Sequence, residues 1–570
     1  MAARDTVWWL LLGSACYSGL AEGGRGSGVV TGSSSDGGGG SGQGGSSGPG
    51  AEASTEPASA GSTESAGSDG IDEGETSAGP GAEEAPLAEH VTVTTIEVNQ
   101  GVARAVLYNG EFIDDGELVA GRPALVRGLW TVEPGFVPRE LEGRLLVRRG
   151  TEVSIYSNVV SVDGDADATT IQGGFLWEVS TADIDAGAEI AVEIREVDVA
   201  LPGPDVGPAA RMPAQGYQPL AIADTFARLE VMLVPLTYAA GGNSTVDLAQ
   251  ADLDEIGRAL YDEHPVRELV LSLREPVVYS GAIGTTAQLN DTLAFLVDLR
   301  NADGASPQVY YAGLVDIGCP VVGCGSAGTN GIGVTLGDDD LANAQLRVST
   351  SLWTDAITTA DVLVHEVGHN QGLRHVPCPN TSPANATPDY PYADGIITGW
   401  GWAPYHQSLY GGNSFDYMTY CDPSWVSNWT WARTLARIDA VGMLADDAEP
   451  GHFALVGNPR PDGPTRWVRV AAGRPAQSGR IGGDVTFWAD GVAIAVSTAV
   501  RYEIADGDGE LIWIDLPAGA EGFDAMRWAH DGRVDDVSAS VLRTTDTGAR
   551  TDGGAPVQRR VVHRGPTGRR

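Results

Sequence analysis

His365, Glu366, His369 and His375 fall within the single run His365-Glu366-Val367-Gly368-His369-Asn370-Gln371-Gly372-Leu373-Arg374-His375, and their types and spacing suit hydrolysis at a metal ion. On a helix, His365 and His369 lie one turn apart on one face and can aim a ring nitrogen at the same ion. Glu366 stands beside them, where it can take a proton from a water held by the ion. Gly372 tolerates the left-handed conformation of a sharp turn, and such a turn swings His375 back as a third ligand. Three protein ligands leave the fourth position open for water or substrate, as in a catalytic rather than a structural zinc site.

The pattern HExxHxxGxxH resembles that of the metzincin zinc metalloproteases. The resemblance implies a methionine turn downstream of the third histidine, and Asp416-Tyr417-Met418-Thr419-Tyr420-Cys421 supplies one, with Met418 as an apolar floor beneath the imidazoles. Tyr420, two residues on, matches a tyrosine that reaches the zinc in astacin-like and serralysin-like members. Its phenol would donate a hydrogen bond to the developing oxyanion. The wording HEVGHNxGLxH is similar to that of large secreted bacterial metzincins that cleave mucin-type glycoproteins. Val376 and Pro377, which follow the last histidine, match none of the astacin, adamalysin, serralysin or matrixin signatures. The loop between His375 and Met418, rich in Pro, Asn, Tyr and Trp, is expected to rim the cleft.

These side chains need a scaffold. Leu363, Val364 and Val367 give the metal-binding helix its apolar faces, and Thr358 with Asp361 has the spacing of a capping box. Upstream, strands are expected at 228–238, 267–273, 308–316, 331–336 and 346–353, with helices at 246–263 and 285–301. Alternation of this kind implies a mixed α/β sheet. It matches the upper half of a metzincin except for the extra helix 285–301. A helix at 429–444 closes the lower half. Period-two runs at 91–98, 123–132, 141–148 and 190–197 imply an immunoglobulin-like β-sandwich before this domain, and runs at 466–470, 492–504 and 511–516 a second β domain after it.

The expected architecture is therefore multidomain, an α/β (α+β) metzincin catalytic domain flanked by two β-sandwich-like domains. Its parts are an export signal at 1–16, a Gly/Ser/Ala/Glu-rich disordered tether at 17–89, a β-sandwich at 90–200, the catalytic domain at 220–447, a β domain at 451–545 and a basic disordered tail at 546–570. A chain of 570 residues is too long for one core. Thirty-five basic against 76 acidic residues give a net charge of −41, which disfavours nucleic acid or an anionic membrane as partner.

Arg4, the short apolar run 7–12 and small residues before Cys16 suit export, with Cys16 the candidate lipidated residue of a bacterial lipoprotein; free secretion is the alternative. In an exported chain the other four cysteines suggest two disulfides, with Cys319–Cys324 and Cys378–Cys421 the favoured pairs among three connectivities. No Cys-x-x-Cys pair supports a cysteine metal site. No cysteine between the tether and Val315 could serve as a thiol latch from the N-terminal side. Asp163, Asp165 and Asp167 have the spacing of a calcium loop, but Ala168 and Gly174 stand where that loop needs its Gly and Glu, so calcium is unsupported and a plain acidic turn is expected.

The resulting expectation is a monomeric, secreted or surface-tethered endopeptidase with one catalytic Zn²⁺, acting on extracellular protein or glycoprotein. The competing class is a surface adhesion or carbohydrate-binding protein that keeps the metzincin domain as a scaffold. An intact Glu366 favours the enzyme, because a scaffold needs no general base.

Overall fold

The computed structural model describes residues 85–198, 209–223, 225–318, 330–337, 341–379, 381, 383, 386–444, 452–460, 463–472, 475–476, 479–507, 509–542 and 557–566. The proposed export signal with Cys16, nearly all of the tether, and Cys319 with Cys324 lie outside them. Within the described residues the protein is mostly β-sheet, with four α-helices: α1 (Gln250–Glu263), α2 (Thr286–Ala302), α3 (Ala356–Asn370) and α4 (Asn428–Gly442).

Residues 91–196 form two antiparallel sheets, one centred on the strand Val91–Asn99 and the other on Arg139–Arg149 and Glu189–Glu196. Both bury one face in a shared core that includes Val98, Val126, Leu145, Val192 and Trp177, as period-two alternation dictates. Asp165 and Asp167 are used locally, accepting from Val132 N (2.8 Å) and Thr169 N (2.9 Å).

The central sheet runs Gly463–Ala471, Phe453–Arg460, Gly509–Leu516, Val492–Ala505, Gly331–Val334, Val348–Leu352, Val309–Val315, Arg228–Tyr238, Glu268–Arg274 and Val557–His563. Its middle, from Val348–Leu352 to Glu268–Arg274, is parallel. Such strands are covered on both faces and read as continuous apolar runs, as Val231, Leu233, Val234 and Leu236 do. Helices α1, α3 and α4 share the core on one face, and α2 covers the other.

Four expectations change. The strands of 451–545 are not packed as a module apart: Val492–Ala505 pairs with Gly331–Val334, so they extend the central sheet. The helix that looked extra, α2, lies between the two strand sets. Its Leu289, Leu293 and Leu296 share a core with Val456, Tyr502 and Trp513, and its buried Asp291 accepts from Asn458 at 2.8 Å and Arg460 at 2.6 Å. Residues 546–570 are not wholly a disordered tail, since Val557–His563 forms an antiparallel strand on the Glu268–Arg274 edge. Finally, α3 starts a turn earlier than a Thr358–Asp361 box requires. Asp355 is its N-cap and accepts from Thr358 N at 3.0 Å.

Arg122, from the N-terminal sandwich, is fully buried at the C-terminal end of α1. It donates to the carbonyls of Tyr261 (2.9 Å), Asp262 (3.0 Å), His264 (3.0 Å) and Val266 (3.0 Å) and stacks over Tyr261 and Trp431. A cation here satisfies carbonyls that the helix leaves without partners and complements its dipole. Arg122→Leu leaves those carbonyls buried and unbonded, so denaturant unfolding is expected to show a loss of about 3 kcal/mol or more. A loss below about 1 kcal/mol would show that water takes over the role.

Candidate metal centre

Helix α3 presents His365 and His369 from one face, and their Nε2 atoms lie 3.1 Å apart. The chain leaves the helix at Gly372, whose φ is +87° and whose Cβ position lies 2.7 Å from the Leu336 carbonyl; a side chain would be strained and obstructed there. That turn brings His375 back, so the three imidazoles converge, with ring centroids 4.7 to 5.3 Å apart.

The ring orientations are fixed from outside. His365 Nδ1 is 2.8 Å from the Tyr417 carbonyl and His369 Nδ1 2.8 Å from the Leu373 carbonyl. A carbonyl only accepts, so each Nδ1 carries the proton and each Nε2 lone pair faces inward. The Tyr417 carbonyl belongs to the turn of Met418. Buried Asp416 holds that turn by accepting from Met418 N (2.9 Å) and Thr430 Oγ1 (2.6 Å), and the Met418 carbonyl accepts from Val376 N (2.9 Å). Met418 is completely buried and its sulfur lies 2.6 Å from where a Cβ on Gly368 would stand, so glycine inside the helix is what admits this floor.

Glu366 is buried beside the histidines against the Gly331–Val334 strand. A Cβ on Gly331 would lie 2.4 Å from Glu366 Oε1, and one on Gly333 3.0 Å from Oε2. Two glycines thus open the space this carboxyl fills. Burial first, and the charge of Asp506 second, push its pKa well above the usual carboxylate range. Among the described residues its Oε2 has no hydrogen-bond partner.

Every site residue inferred from the sequence and described here is brought together: His365, Glu366, His369, His375, Gly372, Met418 and Tyr420. Tyr420 Oη lies 2.9 Å from His375 Nε2 and donates to Asp506. Cys378 and Cys421 are disulfide-bonded, fastening the segment after His375 to the one after Met418. The intervening loop also packs away from the histidines. Its Trp400 carbonyl accepts from Asn99 at 2.8 Å, and Tyr405 N donates to Asp262 at 3.0 Å, so part of it docks on the N-terminal sandwich and α1.

Asp506 was not singled out from the sequence. Its Oδ1 is 3.0 Å from His375 Nε2, and its Oδ2 is 3.2 Å from His365 Nε2 and 3.3 Å from His369 Nε2. Burial alone would raise its pKa, but the surrounding histidines, His375 foremost, hold it well below the usual range. The only signal in the chain is Asp506-Gly507-Asp508-Gly509, which reads as a hairpin turn.

One potential ligand atom from each of His365, His369, His375 and Asp506 lies within 4.8 Å of the others. Three converging imidazoles, those of His365 and His369 with their Nε2 lone pairs turned inward, beside the buried Glu366 carboxyl, fit a divalent ion of the Zn²⁺ type. Residues 348–423 match the Peptidase M66 family, which supports a peptidase of metalloprotease type; no curated protein matches the chain. The matched segment spans α3, all three histidines and the Met418 turn.

The disulfide closes a loop across a sequence separation of 43. Cys378→Ser combined with Cys421→Ser is expected to lower stability by about 2 to 5 kcal/mol in denaturant unfolding. An unchanged midpoint would mean that the hydrogen bonds of this loop hold it unaided.

Proposed function

We propose that the protein is a zinc-dependent endopeptidase of the metzincin kind, exported or tethered at the cell surface, that hydrolyses extracellular protein or glycoprotein. The observation that carries this reading is the convergence of three histidine Nε2 atoms beside Glu366, with His365 and His369 oriented by backbone carbonyls. His365, His369 and His375 would hold the ion. When bound, Zn²⁺ supplies Lewis acidity toward a water and a peptide carbonyl. Glu366 takes the proton of the attacking water on its carboxylate and returns it to the leaving amine. Tyr420 donates its phenolic hydrogen to the oxyanion. The Cys378–Cys421 bond and the net charge of −41 agree with an oxidising exterior and with partners other than nucleic acid. An adhesion role with an idle scaffold accounts less well for Glu366, because burying a carboxyl without full partners costs stability and a scaffold gains nothing from it.

The expected outcomes separate the roles. His369→Ala loses stoichiometric zinc and activity together, because two imidazoles hold the ion poorly. Glu366→Ala keeps its zinc and loses nearly all peptide turnover. Tyr420→Phe lowers turnover about 10²- to 10³-fold with little change in KM. Metal analysis and peptide cleavage on the full chain read all three. Full zinc in His369→Ala would overturn the ligand set, and undiminished cleavage in Glu366→Ala would overturn the mechanism.

A further inference from the structure

We infer that Asp506 is a fourth, intramolecular metal ligand and that the hairpin carrying it closes the site in the manner of a bound substrate. The inference rests on the metalloendopeptidase reading above. Two independent features coincide in the turn between the Val492–Ala505 and Gly509–Leu516 strands. Its carboxylate meets all three histidine Nε2 atoms at 3.0 to 3.3 Å, the position a fourth ligand takes. Its backbone also occupies the edge of Gly331–Val334, the strand against which Glu366 packs. Gly333 pairs with Ala505 and Val334 with Ile504, antiparallel, and Thr335 N donates to the Glu503 carbonyl at 2.9 Å.

An extended peptide recognised by strand addition would use that same edge to place its carbonyl beside Glu366. Chain 503–506 therefore fills the strand position and the ligand position at once, and no peptide can take either while it stays.

The placement is built into the fold. Asp506 adopts φ +58°, a left-handed conformation that Asp tolerates better than most residues, and Cβ atoms on Gly507 and Gly509 would lie 2.5 and 2.6 Å from the Asn290 side chain. Glycines thus let the turn sit tightly on α2 with its one carboxylate aimed at the histidines. Tyr420 donates to Asp506, so the proposed oxyanion donor is engaged by the same occupant. A permanently closed structural site would have no use for Glu366 and Tyr420 beside it. The arrangement describes a resting state from which the hairpin tip must withdraw before turnover.

The test uses the full chain, metal-stripped and reloaded with Co²⁺ or Zn²⁺, as wild type, Asp506→Ala and Asp506→Asn, with acetohydroxamate as a small probe of the open coordination position. Asp506→Asn keeps the shape and removes the charge, and thermal unfolding confirms that each variant is folded. One metal per chain is expected in all three. The Co²⁺ visible spectrum should change on loss of the carboxylate. Acetohydroxamate should bind both variants about 10- to 100-fold more tightly than wild type, the factor expected if the open state is about 1–10% populated, and peptide cleavage should rise in parallel. Identical spectra and hydroxamate affinities in wild type and variants, with one metal bound in each, would overturn the Asp506 inference and leave the metal centre intact. Absence of metal from wild type would instead overturn the metalloendopeptidase reading, and this inference with it.

Discussion

The site depends on where two backbone carbonyls lie. Those of Tyr417 and Leu373 each accept from one imidazole Nδ1, and this alone turns the opposite ring nitrogens of His365 and His369 toward a common point. Neither carbonyl is in a regular element. The Tyr417 carbonyl is held by Asp416, which ties the turn to Thr430 on α4; the Leu373 carbonyl is held by the reversal at Gly372. Helix, turn and lower helix thus form one hydrogen-bonded unit, and Met418 fills the space between them through the gap at Gly368.

Around that unit the rest of the chain behaves as a set of caps. The N-terminal sandwich sends Arg122 into the end of α1, and its Gly101 carbonyl accepts from Trp425 Nε1 at 2.7 Å, just before α4. On the other side, the strands after residue 452 share a core with α2 and continue the central sheet. Both flanking regions satisfy polar groups or edges that the central part leaves open, so packing runs across the boundaries drawn from composition.

What could be read in the sequence was what is local. Periodicity placed the helices and the parallel middle strands of the central sheet within a few residues but missed strands such as Phe453–Arg460 and Arg480–Ala489, and the spacing of His365, Glu366, His369 and His375 gave their convergence because a helical turn and one glycine determine it. Asp506 escaped because its meeting with the histidines is set by strand register across the sheet, and an Asp-Gly-Asp-Gly run has a sufficient local explanation as a turn. Val557–His563 escaped for a related reason. Arg559 and Arg560 made it look like a solvated tail, yet a sheet edge tolerates such side chains and commonly uses charge to discourage further pairing. Thr358 resembled a cap because Asp355, three residues earlier, sets the same phase.

The Val557–His563 strand also bears on how the chain reaches its folded state. It pairs with Glu268–Arg274, yet follows it by nearly three hundred residues, and the strand that pairs with Gly331–Val334 is likewise supplied from beyond residue 490. A chain emerging vectorially from a ribosome therefore carries α3, the three histidines and Glu366 well before either neighbouring edge can be covered. Until then two rows of unpaired amides and carbonyls stand open to self-association. Completion of the sheet thus waits until residues beyond 557 have emerged, and the turn that carries Asp506 arrives before the strand that finishes the far edge.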